Sequence, residues 1–391
     1  MNPATSVAAP AFVEPPEKTH LRLGFVALSD AAPLVAAKLL EFGHAHGLTL
    51  ELCRQPSWAA VRDKLLSGDL DAAHTLYGLV YGVQLGLGGP RTDMAVLMVL
   101  NRNGQAITLS NRLADALAEA GRSEATAGHA LRAALATLGR KPVFAQTFPT
   151  GTHAMWLYYW LAAHGVDPLR DVESVAIPPP QMVAALAEDR LDGLCVGEPW
   201  NTTAEAQRVG RTVAYTSEVW PEHPEKVLAC RRDFVDAHPR ATRALVQTML
   251  EACRWLDDAG HRGEIARWLA RPDYIGIDEK LISARLGGEL DAANPRRLPM
   301  RFFDGGAVNY PHPHEGAWFL TQFERWGMID ARGDYGEIAA RINQTQLYRE
   351  AAARVNVAVP REDIEQKLID GEVWGSGSQS AAYGRRFSIR T

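Results

Sequence analysis

Short apolar runs alternate with helical stretches of about 10–15 residues over most of this chain, and that alternation restricts it to one fold class. LRLGFVAL (21–28), LTLELCR, MAVLMVL, AITLS, PVFAQT, VESVAIP, GLCVG, RTVAYT and VLACRR read as strands, and DLDAAHTL as a short strand or turn. Between them, AAPLVAAKLLEFGHAHG reads as a helix capped by Ser29 and Asp30, and SWAAVRDKLLSG as a helix closed by Gly68. The Ala-rich segment 111–140 reads as helical, as do 151–164, QMVAALAEDRLD and EPWNTTAEAQRVG. Strands returning through helices predict parallel βαβ units and an α/β fold.

The 391 residues leave room for two or three domains at about 150 residues each. The order of elements predicts one lobe from 20–110, rejoined by 225–330, and a second lobe inserted at 111–224. Long helices follow the last strand, near 239–259, 262–270, 277–286 and 315–328. Residues 1–19 are rich in Pro and Ala and read as disordered. Residues 331–391 read as a C-terminal extension ending in a flexible Gly/Ser-rich tail. A lobe made from both ends of the chain implies two crossings and a cleft, and ligands on open α/β sheets sit beyond the carboxyl ends of the strands.

Charge and motifs exclude several function classes. A net charge of -5 gives no basic footprint for direct nucleic-acid contact. No stretch reaches the roughly 18 apolar residues of a membrane helix. The opening MNPATSVAAPAFVEPPEKTH lacks the basic and apolar regions of a signal peptide, so a cytoplasmic protein is expected. Cys53, Cys195, Cys230 and Cys253 form no CxxC and read as free thiols, with two long-range disulfides left open. There is no GxSxG, HExxH or P-loop, and the Gly-rich stretch 86–89 lacks GxGxxG spacing. YPHPHEG (310–316) is a weak metal candidate because its prolines restrict the backbone. No catalytic residue, metal or cofactor is expected.

The turns after the strands supply the candidate site. Thr150-Gly151-Thr152-His153 lie where a strand stops and a helix starts, where unpaired N–H groups and the helix dipole favour an anion. His153 would add a hydrogen bond; the plainer reading is a threonine cap beside a solvated histidine. In CVGEPWN (195–201) a strand ends at Gly197, which lets a backbone N–H approach a ligand, and Glu198-Pro199 opens the next helix. Trp200 reads as packing. NGQAITLS places Gln105 at a strand start, where a neutral amide suits an oxyanion. Trp58 follows Ser57 at a helix start, where an indole walls a pocket or fills the core. Lys226, just ahead of VLACRR, either neutralises a monoanion or is solvated.

GFVALSDAAPLVAAK, SWAAVRDKLLSGDLDAAH, NGQAITLS, TFPTGTHAMWLYYWLAAHG, PPPQMVAALAEDRLDGLCVGEPWN and HPEKVLACR follow one another in order. Together, over roughly residues 21–330, they resemble the nitrate- and bicarbonate-binding proteins of the NrtA/CmpA family. The resemblance implies a two-lobed, periplasmic-binding-protein-like (type II) fold with the anion between the lobes. It implies Trp58 lining the pocket, Gln105 and His153 bonding the anion, Gly197 offering its N–H and Lys226 supplying charge. Bicarbonate-type relatives use acidic character and calcium, so the retained lysine favours nitrate or nitrite. The cytoplasmic expectation resembles the NasS branch, sensors that hold an RNA-binding NasT-type antiterminator and release it on binding the anion. The rivals are the solute-binding component of a nitrate/nitrite ABC transporter and an enzyme like the pyrimidine synthases of thiamine biosynthesis, which share this fold.

Overall fold

The computed structural model describes residues 14–124, 126–286, 296–330, 334–360, 365–377 and 383. The predicted strands form as β1 (His20–Val26), β2 (Thr49–Gln55), β3 (Ala72–Leu76), β4 (Met94–Arg102), β5 (Gln105–Ser110), β6 (Val143–Gln146), β7 (Glu173–Ala176), β8 (Gly193–Gly197), β9 (Gly210–Tyr215) and β10 (Pro224–Arg231). They divide between two five-stranded sheets, ordered β2-β1-β3-β10-β4 and β7-β6-β8-β5-β9. Helices pack on both, and the chain is an α/β protein of two lobes.

The sheets are mixed, which corrects the expectation of purely parallel units. β1 runs parallel to β2 and β3, and β6 to β7 and β8. β10 is antiparallel to β3 and β4, and β5 to β8 and β9. β5 and β10 are the strands by which the chain passes from lobe to lobe, so each enters its sheet from the cleft side. The rim of the cleft therefore receives the carboxyl ends of β1, β3, β6 and β8 together with the amino ends of β5 and β10.

The first crossing falls at Asn103 and Gly104, because β5 pairs within the second sheet; the expected boundary after residue 110 moves back accordingly. Both residues are left-handed, at φ 59° and 93°, a turn that Gly and Asn adopt most readily. The two crossings are tied together. The Asn103 N–H donates to the His223 carbonyl at 3.2 Å, and Arg102 Nη1 donates to the Glu222 carbonyl at 2.7 Å and to Glu315 Oε1 at 2.6 Å.

Other boundaries shift locally. The segment 111–140 forms two helices, Asn111–Ser123 and Ala127–Ala136. Residues 14–19 are ordered: Glu17 accepts from the N–H groups of Arg240 and Ala241 at the start of the helix Pro239–Asp257, and Lys18 pairs with Asp71 at 2.7 Å. Residues 1–13 lie outside the described residues. Within the expected flexible tail, β11 (Glu365–Lys367) and β12 (Val373–Gly375) pair, Trp374 Nε1 donates to the His314 carbonyl at 3.0 Å, and the Tyr383 and Tyr159 hydroxyls lie 2.8 Å apart. Two buried aromatic rings give this end of the chain a reason to fold back that its Gly/Ser content hides. Residues 378–382 and 384–391 lie outside the described residues.

Gly78 and Gly82, one turn apart on the helix Tyr77–Leu85, let the lobes meet. A Cβ on Gly78 would overlap the Thr150 carbonyl oxygen, and one on Gly82 would lie 2.8 Å from the Thr150 Cβ. Helix propensity alone favours Ala over Gly by about 1 kcal/mol. Gly78→Ala is nevertheless expected to lower stability by about 1–3 kcal/mol through overpacking, read from the urea midpoint. A stabilised variant would show that Thr150 does not seat on this helix.

Candidate functional site

Side chains from both lobes meet at the rim defined by the two crossing strands. At the centre is Lys226, whose wholly buried ammonium lies 2.9 Å from Asp30 Oδ2 and 2.8 Å from Glu225 Oε1. Adjacent residues of a strand normally face opposite sides of a sheet. Irregular register between β10 and β4 around Pro224, Lys226 and Val227 breaks that alternation, and both Glu225 and Lys226 reach the cluster.

Asp30 corrects one sequence expectation. It lies in the 3-10 turn Ser29–Ala31 after β1 and caps no helix. Its carboxylate instead accepts from Lys226, from Gln105 Nε2 at 3.2 Å and from His74 Nε2 at 2.8 Å. A buried ammonium is a stronger partner than a backbone N–H. Glu225, from the first lobe, is clasped by the second: Thr152 Oγ1 and Trp156 Nε1 donate to it at 2.6 and 2.7 Å. Both donors belong to the first two turns of the helix Thr152–Ala163.

His153 follows Thr152. Its Nε2 is 2.9 Å from Gln105 Oε1 and its Nδ1 is 2.6 Å from the Thr147 hydroxyl. A carboxylate only accepts, so the Gln105 amide turns its NH2 to Asp30 and its oxygen to His153. The His153 proton therefore sits on Nε2, and Thr147 donates to Nδ1. Burial, reinforced by the Lys226 charge, pushes His153 down to about 3, so the ring is neutral.

Gly197 ends β8 opposite Gln105. A Cβ there would lie 2.6 Å from Gln105 Oε1 and 3.4 Å from Asp30 Oδ2, so only glycine leaves this wall open. Trp58 opens the helix Trp58–Ser67, whose cap Ser57 accepts from the Ala60 N–H at 3.2 Å. Its ring lies 5.7 Å from Lys226 Nζ and 5.5 Å from the His74 ring. Trp58 Nε1 and Ser29 Oγ are buried without a hydrogen-bond partner. Trp200, expected as packing, also ties the lobes: its Nε1 donates to the Ala27 carbonyl at 3.0 Å, beside a 2.8 Å bond from the Ser29 N–H to the Glu198 carbonyl. Its helix begins at Trp200 itself, with Pro199 at the cap rather than Glu198-Pro199 inside.

The five residues nominated from sequence thus converge, but the charge balance differs from that expected. Lys226 was read as a lone charge ahead of a strand; it lies inside β10 and is shared by two carboxyl groups. Burial works to raise the Asp30 carboxyl, yet the Lys226 ammonium and His74 outweigh it and hold it well below the usual range. Burial works to lower Lys226, and Asp30 and Glu225 outweigh it in turn. His223, whose ring lies tilted 4.6 Å from that of Trp156, is pushed down to about 3, chiefly by burial. Acidic character, the trait tied above to bicarbonate-type sites, is present in this pocket as well. The retained lysine therefore does not by itself separate nitrate from bicarbonate.

Sequence reasoning missed Asp30, Glu225, His74, Trp156 and His223. The one signal available was the adjacency of Glu225 to Lys226, and an irregular register was needed to make it count. In YPHPHEG, Glu315 is taken by Arg102. Among the described residues, no group of three or more His, Cys, Asp or Glu side chains could hold a metal. Cys195 of β8 is raised well above the usual thiol range by burial and then by Glu225, which leaves it a poor nucleophile.

Residues 14–270 match the NMT1-like family. The chain is 38% identical over 381 residues to the nitrate import ATP-binding protein NrtC of Synechocystis, covering 95% of this chain and 56% of that protein. It is 36% identical over 355 residues to the nitrate/nitrite binding protein NrtA of Synechocystis, covering 88% and 78%. The crystal structure of periplasmic nitrate-binding NrtA from Synechocystis superposes with a TM-score of 0.87 at 32% identity, over 96% of this chain and 100% of that one.

Removing Lys226 leaves two buried carboxyl groups facing each other. Lys226→Met is expected to cost about 3–5 kcal/mol in urea denaturation, part of it recovered by adding Asp30→Asn. A loss below about 1 kcal/mol would mean that solvent reaches the pair. The histidines set the acid limit. His153 and His223 stay neutral in the folded protein to about pH 3, whereas unfolded histidine titrates near 6.5. The unfolded chain then binds more protons below about pH 6.5, so stability falls from there toward about pH 3 and is unaffected by these groups above it. Urea midpoints that stay level from pH 7 to pH 5 would contradict this.

Proposed function

Because the chain belongs to the NMT1-like family, among the nitrate- and bicarbonate-binding proteins of NrtA and CmpA type, we propose that it binds one nitrate or nitrite ion between its lobes. The ion is held by Trp58, Gln105, His153, the Gly197 N–H and Lys226. The carrying observation is the buried indole N–H of Trp58, which has no hydrogen-bond partner and belongs to a ring whose centre lies 5.7 Å from Lys226 Nζ. An ammonium has three N–H groups, and Asp30 and Glu225 use two.

The oxygen of Gln105 lies close over Gly197 and accepts from His153, as an oxygen of a bound anion would. Binding exchanges the amide oxygen for the anion's, and Gln105 then offers its NH2. Bonds to a charged group contribute about 1.5–3 kcal/mol each, so Lys226 matters more than Gln105. Donors from both lobes favour the closed form. A partner that prefers the open form is released by closure and weakens anion binding by the same factor.

In the finer form of this reading the protein is a cytoplasmic sensor that frees a NasT-type RNA-binding antiterminator when the anion binds. Its support is that all four cysteines are separate thiols, three of them buried, a state that a reducing compartment preserves. The names of the similar proteins favour a second form, the solute-binding component of an ABC importer for nitrate. Either way the protein binds and performs no covalent chemistry.

In a thermal-shift panel of nitrate, nitrite, bicarbonate with calcium, and chloride, nitrate or nitrite is expected to raise the melting temperature selectively. His153→Ala should weaken nitrate binding by about 10- to 150-fold in titration calorimetry. A panel in which only bicarbonate with calcium acts would overturn the anion assignment. Gel filtration with the antiterminator separates the two finer forms: a complex that dissolves on adding nitrate supports the sensor, and no complex in either condition supports the importer.

A further inference from the structure

We propose that each anion enters this site together with one proton, which is taken up by the carboxyl pair of Asp30 and Glu225. This rests on the anion-binding reading above and concerns the charge that such binding must balance. Lys226, Asp30 and Glu225 all have fully buried side chains. One ammonium therefore already serves two carboxyl groups where salt cannot screen them. A bound monoanion would make three negative groups against one positive.

The remaining titratable groups around the pair do not supply the missing charge. On the helix Thr152–Ala163, His153 Nε2 stands 3.5 Å from Glu225 Oε1. Just before β10, His223 Nδ1 stands 3.6 Å from Glu225 Oε2. On β3, His74 stands 2.8 Å from Asp30 Oδ1. Burial keeps all three rings toward their neutral form. Beneath them on β8, Cys195 is a protonated thiol.

A metal ion is a poor counter-charge here, because both carboxylates are already occupied. Asp30 accepts from Lys226, His74 and Gln105; Glu225 accepts from Lys226, Thr152 and Trp156. A proton needs no coordination shell. When the anion draws Lys226 toward itself, the carboxyl group that loses the ammonium gains the proton, and the site's net charge is unchanged.

The test is calorimetric titration of sodium nitrate into the full chain at constant ionic strength. Nitrate is the anion of a strong acid, so its own titration does not enter. Affinity is expected to fall on the order of tenfold for each unit of rising pH within the range where the proton is taken up. At one pH in that range, binding heats in phosphate and in Tris should differ by the difference between the ionisation enthalpies of the two buffers, as uptake of one proton requires. Glu225→Gln, with a neutral amide in place of the carboxyl, should lose both the slope and the buffer difference. Should that variant fail to fold, the two-buffer comparison on the unaltered chain decides alone. Nitrate binding with the same heat in both buffers and one affinity from pH 5.5 to 8.5 would overturn the proton and leave the anion site standing. No binding of nitrate or nitrite at any pH would remove the anion site and the proton with it.

Discussion

One buried ammonium between two carboxyl groups holds the cleft of this protein together. Isolated, any of the three charges would cost several kcal/mol to bury. Together they are stable only because donors converge on them from both lobes: His74 from the first, Gln105, Thr152 and Trp156 from the second. The second lobe thus completes the solvation of charges that belong to the first. The contact between the lobes and the satisfaction of these charges are therefore one arrangement.

The aromatic packing behind the site serves the same end. Trp156 can aim its N–H at Glu225 because its ring is fixed among Trp318 at 4.9 Å, His223 at 4.6 Å and Trp220 at 6.1 Å. These come from the helix Pro313–Arg325 and from the second crossing. The rings bury large apolar areas while one polar edge faces the cluster. The same wall accepts the C-terminal segment, where Trp374 bonds the carbonyl of His314.

Much of this was legible in the sequence, for stated reasons. Strand positions followed from period-two runs and their turn residues, and ten strands formed where expected. Strand direction was legible only in part: alternation with helices predicted the parallel pairing of β1 with β2 and β3 and of β6 with β7 and β8, but not that β5 and β10, entering from the cleft, run against their neighbours. Trp58, Gln105, His153, Gly197 and Lys226 could be nominated because each sits at a strand–helix junction or strand start, where backbone polarity is left over. Asp30 was misread because Ser-Asp before a helix is also the ordinary signature of a cap. Glu225 was passed over because the strand was read as starting after Lys226; β10 in fact begins at Pro224, and its irregular pairing brings both side chains to the cluster. The Gly/Ser-rich end looked like a tail by composition, while two aromatic side chains, Trp374 and Tyr383, decide its course.

The two crossings lie side by side and are bonded through Asn103 to His223 and Arg102 to Glu222. A lone connector would act as a swivel; two parallel ones act as a pair of door pins and define a single line of rotation. Gln105 and Lys226 each stand within three residues of that line, so their mutual geometry changes little as the angle between the lobes changes. The outer edges of the lobes sweep the longest arcs. A small change of angle about that line therefore displaces the lobe edges far more than it displaces the ion-pair cluster beside it.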